Sequence, residues 1–139
     1  MFIERNKTMS QWTHVKTIFV VKNEYCVNVE NIAKSYGKEI PYEECEDCLF
    51  SEEKTLPLGG EGSLHISVHN NIDWYKNNEK FNSAIIYVYG DLKDFGYEDD
   101  IKELRKWFYK SCNEAIDSAT LIATNEWINE PIIFQYEGR

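Results

Sequence analysis

This sequence predicts a single α+β domain with a mainly antiparallel sheet and two helices. Three observations predict it: segments of strict two-residue alternation, one long stripe at helical spacing, and two final β-rich segments too close together for a helical crossover. The length agrees, since 139 residues, 42% of them hydrophobic, suit one core and are too few for two ordinary domains.

Trp12 to Val21, rich in β-branched and aromatic residues, reads as the first strand. Asn28 stands where it would cap a short helix over Val29 to Tyr36, and Gly37 would end that helix. Lys38 to Gly62 follows as a long, acidic, irregular segment, of a kind that in small domains is usually functional or mobile. Ser63 to His69 alternates, with Leu64, Ile66 and Val68 on one side and His65, Ser67 and His69 on the other. Asn70 to Asn82 carries five asparagines beside Trp74 and Tyr75 and reads as a polar loop.

Ser83 to Gly90 is the next strand, with Ala84, Ile86 and Val88 opposed to Ile85, Tyr87 and Tyr89. The longest helix is expected over Tyr97 to Cys112, with Ile101, Leu104, Phe108 and Cys112 on one stripe and Trp107 off it. Ala119 to Thr124 and Ile132 to Tyr136 complete the chain as a hairpin around the turn at Asn125 to Pro131. The order β-α-β-β-α-β-β contains the split β-α-β pattern of ferredoxin-like domains plus one C-terminal strand. Both helices would then cover one sheet face. Tyr87 and Tyr89 are candidates for the open face, or for packing beneath Lys38 to Gly62; the sequence supports both.

The formal net charge of -9 argues against a protein that wraps nucleic acid or docks on an anionic membrane. No run approaches the roughly 20 apolar residues of a membrane span, and Met1 to Asn6 lack a signal peptide's apolar core. Residues 1 to 9 are expected as a flexible extension, with Met9 an alternative start. The acidity is concentrated in Glu39, Glu43, Glu44, Glu46, Asp47, Glu52 and Glu53, with no Lys or Arg among them. Such a run reads either as a solvated loop or as a partner-binding surface. A second cluster, Asp91, Asp94, Glu98, Asp99 and Asp100, coincides with a helix start, where the backbone dipole favours carboxylates.

Cys45 and Cys48 form a lone CxxC, and with His65 and His69 they nearly match a two-Cys, two-His zinc spacing. On a strand His65 and His69 would stand ~13 Å apart, so only one of them, such as His65, could join the two thiols on a zinc ion. The acidic neighbours oppose a redox role by disfavouring a thiolate. Otherwise the pair is simply two surface thiols, and no cofactor is required. Gly59, Gly60, Gly62 and Ser63 read as a flexible turn or as a turn offering amides to a phosphate, without the full pattern of a P-loop. No nucleophile elbow, HExxH or serine-hydrolase order is present, so a binding role rather than an enzyme is expected.

Met9 to Val15, Leu56 to Leu64, and Tyr89 to Phe95 followed by an acidic helix resemble a group of small uncharacterised bacteriophage proteins. The resemblance covers most of the chain after Met9. It implies an accessory protein acting in the cytoplasm of a bacterial host, and it assigns no catalytic or binding residue. Three roles are expected. The first is stoichiometric inhibition of a host defence or regulatory protein, with Glu39 to Glu53 and Asp91 to Asp100 imitating phosphate charge and occupying a basic nucleic-acid groove. The second is capture of a nucleotide signal between the Gly59 to Ser63 turn and Trp74, Tyr75, Tyr87 or Tyr89. The third is a virion structural protein forming homo-oligomers.

Overall fold

Alternation in the first strand decides the centre of the fold. Within β1 (Trp12–Val21), Thr13, Val15, Thr17, Phe19 and Val21 are buried, while His14, Lys16 and Ile18 between them are exposed. The computed structural model describes residues 11–36 and 62–138. After β1 come α1 (Val29–Tyr36), β2 (Gly62–Lys76), β3 (Glu79–Lys93), α2 (Glu98–Ser111), β4 (Ile116–Asn125) and β5 (Ile128–Glu137). Among the described residues the sheet has five strands in the order β2-β3-β1-β4-β5, and every neighbouring pair is antiparallel. The α+β class with an antiparallel sheet and two helices is therefore as the alternation predicts.

Both helices pack on the inward side of β1. The Phe19 ring lies 4.8 Å from the ring of Tyr36 in α1, and 5.9 Å from each of Trp107 and Phe108 in α2. Trp107 is buried, against the expectation that it lies off the apolar stripe. Its surroundings explain this: α2 meets α1 as well as the sheet, and the Trp107 indole N–H donates to the Tyr36 carbonyl at 3.4 Å. Asp100 opens α2 by accepting from the Gly96 and Tyr97 amides, both at 3.2 Å, so two otherwise orphaned donors are satisfied. Among the described residues no helix is long and apolar enough to cross a membrane.

Two expectations need correction. Asn28 is not the cap of α1; it ends a 3₁₀ segment, Asn23–Asn28, that runs directly into the helix. Asn70 to Asn82 is not a loop. Asn77 and Asn78 take left-handed φ values of 53° and 66°, forming a two-residue turn, and the flanking residues extend β2 and β3. Asparagine tolerates that conformation, so the polar composition is explained by two turn residues rather than by irregular chain. Because β1 pairs with β3 only as far as Ala84, the tip of this hairpin runs past β1 as a two-stranded ribbon. There Asp73 accepts from Asn82 at 3.0 Å and pairs with Lys80 at 3.3 Å, contacts that hold its carboxyl below the usual range. The final hairpin is as expected but tighter, with only Glu126 and Trp127 between its strands.

A buried polar knot ties the ends of three strands together. Asn125 donates to Gln11 Oε1 at 2.6 Å and to Thr13 Oγ1 at 2.8 Å, and the Thr13 hydroxyl donates to the Phe95 carbonyl. Gly96 fits here because a Cβ at that position would stand 2.5 Å from Gln11 Oε1 and 2.7 Å from Asn125 Nδ2. Any larger residue must therefore displace the knot.

Phe19 is fully buried among three rings. Phe19→Ala should lower unfolding free energy by about 3–5 kcal/mol, the usual cost of removing a core phenylalanine, measured by urea denaturation. A loss below about 1 kcal/mol would contradict a core organised around this ring. Glu103 gives a second prediction. Burial, reinforced by the charge of Asp100, pushes its carboxyl up from 4.5 to about 8. The folded state thus holds a proton that the unfolded chain releases, and the contribution of this group to stability falls as pH rises from 4.5 towards 8. Glu103→Gln should match the parent protein in thermal stability near pH 4.5 and exceed it at pH 8; an equal difference at both pH values would refute the assignment.

Candidate functional site

Strand alternation and register assemble the sheet face opposite the helices. His14, Lys16 and Ile18 project from β1, His65, Ser67 and His69 from β2, and Tyr87, Tyr89 and Asp91 from β3. Ile122 on β4 and Ile133 on β5 continue the same face. One row crosses the whole sheet in register: His65, Tyr89, Lys16, Ile122 and Ile133. Its neighbour runs Ser67, Tyr87, Ile18, Thr120 and Gln135. All three histidines of the chain stand on this one face.

The face divides into two chemistries. On the β2 and β3 side, His65 and Tyr89 pack with ring centroids 5.8 Å apart, and His69 meets Tyr87 edge-on at 5.0 Å. Ser67 Oγ lies 3.1 Å from His69 Nε2. His14 Nδ1 lies 2.6 Å from Asp91 Oδ1, directly across the β1–β3 ladder. Lys16 makes no hydrogen bond or ion pair among the described residues, and Tyr89 is 46% exposed beside it. Towards β4 and β5 the exposed large apolar groups are Ile18 on β1, Ile122 on β4 and Ile133 on β5, with Thr124 and Gln135 exposed on the same face. The exposed Tyr89 ring, the Lys16 ammonium and the imidazoles together can stack a flat ligand and meet a negative charge.

The structure brings together some of the sequence candidates and separates others. Tyr87, Tyr89 and His65 share the open face. Gly62 and Ser63 open β2, in register with Leu92 and Asp91. Tyr75 pairs with Lys80 near the ribbon tip, ten positions along β2 from the His65 row, which is about 30 Å at strand rise. Trp74 belongs to the same arm, in register with Phe81. Tyr75 and Trp74 therefore cannot join Tyr89 around one small ligand. Glu39, Glu43, Glu44, Glu46, Asp47, Cys45, Cys48, Glu52, Glu53, Gly59 and Gly60 lie outside the described residues. Among the described residues no group of three His, Cys, Asp or Glu could hold a metal ion.

His14 and Lys16 were not among the sequence candidates for a binding site, and Asp91 stood there only as a member of the second acidic cluster. Alternation in β1 already set His14 and Lys16 on one side; their pairing with Asp91 and Tyr89, more than 70 residues away in the chain, needed the register. The two described cysteines offer no reactive thiol. Cys26 is buried, and burial pushes the Cys112 thiol up to about 12. No protein-family model, curated protein or solved structure matches the chain.

Proposed function

We propose that this protein is a non-catalytic binding module that captures a nucleotide on its open sheet face. One observation carries the reading: the exposed Tyr89 ring stands in one cross-strand row between His65 and Lys16, whose ammonium has no partner among the described residues. The ring offers a stacking surface for a base, while Lys16 and the neighbouring imidazoles offer donors to phosphate. The strand order β2-β3-β1-β4 also supports the ferredoxin-like reading, with β5 as the added edge strand. In the role that the bacteriophage resemblance implies, such a module would work stoichiometrically, withdrawing a nucleotide signal in a bacterial host cytoplasm.

A second reading is favoured by the seven carboxylates from Glu39 to Glu53 without an intervening cation. As a phosphate mimic, this segment would bind the basic groove of a host protein, and binding would fall steeply with added salt. Charge reversal at Glu43, Glu44, Glu46 and Asp47 separates the two readings, since it would abolish groove binding and leave nucleotide capture on the open face intact.

Thermal shift with adenosine and uridine mono- and dinucleotides tests the first reading. Saturation at a hundredfold excess over the dissociation constant should stabilise the fold by ~2.7 kcal/mol. Tyr89→Ala should weaken binding by about 1–3 kcal/mol through lost stacking, and Lys16→Gln should weaken it and flatten its salt dependence. An unchanged melting temperature with every one of these nucleotides at millimolar concentration would overturn the reading.

A further inference from the structure

The open face presents two His–Tyr couples, one directly across the β2–β3 ladder with its rings tilted at 41°, the other diagonal with its rings perpendicular. His65 packs on Tyr89 and His69 on Tyr87, with centroids 5.8 Å and 5.0 Å apart. Tyr87 and Tyr89 leave the same side of β3 two residues apart, so their Cα atoms stand about 6.6 Å apart along the strand. The two couples are not equivalent across the β1 ladder: Lys16 is opposite Tyr89, whereas Ile18 is opposite Tyr87. The arrangement is thus an exposed ring, Tyr89, with a cation beside it, next to a half-buried ring, Tyr87, that His69 meets edge-on.

We propose that the ligand is a dinucleotide, one base over each Tyr–His couple and the linking phosphate towards Lys16. The proposal rests on the nucleotide reading above and names its ligand class. A mononucleotide covers only one couple and leaves the second, with Ile18, exposed to water. Bases laid on a sheet surface are splayed and stacked singly on its aromatic side chains, so successive bases suit platforms at this spacing. A linear dinucleotide such as ApA carries one negative charge, which Lys16 matches, and a cyclic dinucleotide carries two, one of which Lys16 meets. A long strand instead brings one charge per nucleotide to a chain of net charge -9. That repulsion favours a free linear or cyclic dinucleotide over a step within a longer RNA.

Calorimetric titration of the full chain with AMP, the linear dinucleotide ApA, cyclic di-AMP and a ten-residue oligoadenylate tests this. At least one of the two dinucleotides should bind about tenfold or more tightly than AMP. Tyr87→Ala should remove that advantage and leave AMP affinity unchanged, while Tyr89→Ala weakens both. If melting shows Tyr87→Ala to be misfolded, His69→Ala, at an exposed side chain of the same couple, should give the same selective loss. Equal affinity for AMP and both dinucleotides would overturn the dinucleotide assignment and leave the nucleotide platform standing. Absence of binding by any of the four would overturn both. Oligoadenylate binding tighter per two-base site than either dinucleotide would identify a longer single strand as the ligand and overturn the choice of a free dinucleotide.

Discussion

The packing of Phe19 against both helices is the contact on which the rest of the structure depends. Its strand is central, hydrogen-bonded to β3 on one side and β4 on the other, so whatever fixes β1 fixes two ladders at once. Phe19 closes on Tyr36 from α1 and on Trp107 and Phe108 from α2, drawing both helices to the same face. Strand geometry does the remainder. With Phe19 inward, Lys16 and Ile18 must point outward, because alternate residues leave a strand on opposite sides. The open face is therefore a direct consequence of where the core ring goes. A slip of one residue in β1 would bury Lys16 and expose Phe19, two errors that each cost far more than the ladder could recover.

Constraints at the ends of the strands hold that register. The polar knot of Gln11, Thr13 and Asn125 joins the start of β1 to the end of β4, and it receives the Phe95 carbonyl from the connection after β3. Hydrogen bonds in a buried site are demanding, because a displaced partner leaves a desolvated polar group behind. Gly96 admits the close approach, since it is the residue type that adds no side-chain atom between Gln11 and Asn125. The same connection supplies the start of α2, where Asp100 accepts from Gly96 and Tyr97. One short stretch thus sets sheet register and helix entry together.

Most of the fold was legible in the sequence because it follows from local periodicity. β-branched and aromatic residues marked β1, period-two alternation marked the first half of β2 and the middle of β3, and a 3.6-residue stripe marked α2. What failed were places where local composition and tertiary setting disagree. The asparagine-rich run 70–82 reads as loop by composition, yet only Asn77 and Asn78 use the residue's tolerance for left-handed backbone; the others occupy strands. Trp107 reads as lying off the stripe when α2 is considered against one surface, and is buried because α2 meets two. The face was half legible. Alternation showed Tyr87 with Tyr89 and His65 with His69. Alternation alone does not give the cross-strand neighbours of Tyr89, and Lys16 went unnoticed for that reason. Trp74 and Tyr75 were grouped with those tyrosines by ring chemistry, and the length of the ribbon separates them.

Net charge and local charge act on a ligand in different ways, and the difference bears on what an acidic chain can hold. The repulsion from an overall charge of -9 acts at long range, is screened beyond roughly 8–10 Å at physiological salt, and grows with every charge the ligand brings. The attraction to Lys16 is a contact interaction, and one ammonium satisfies one phosphate whatever the length of the ligand. For the proposed ligand, a linear dinucleotide with a single phosphodiester, the contact and the stacked bases would have only a weak, screened field to overcome. For a polyanion each further phosphate adds repulsion and meets no further unpaired cation in the Tyr–His rows. On the nucleotide reading proposed above, the acidic composition, which by itself argues against a nucleic-acid partner, would then act as a filter on length: it would leave a small, ring-rich anion able to use the face and discourage long strands that present the same bases and phosphates.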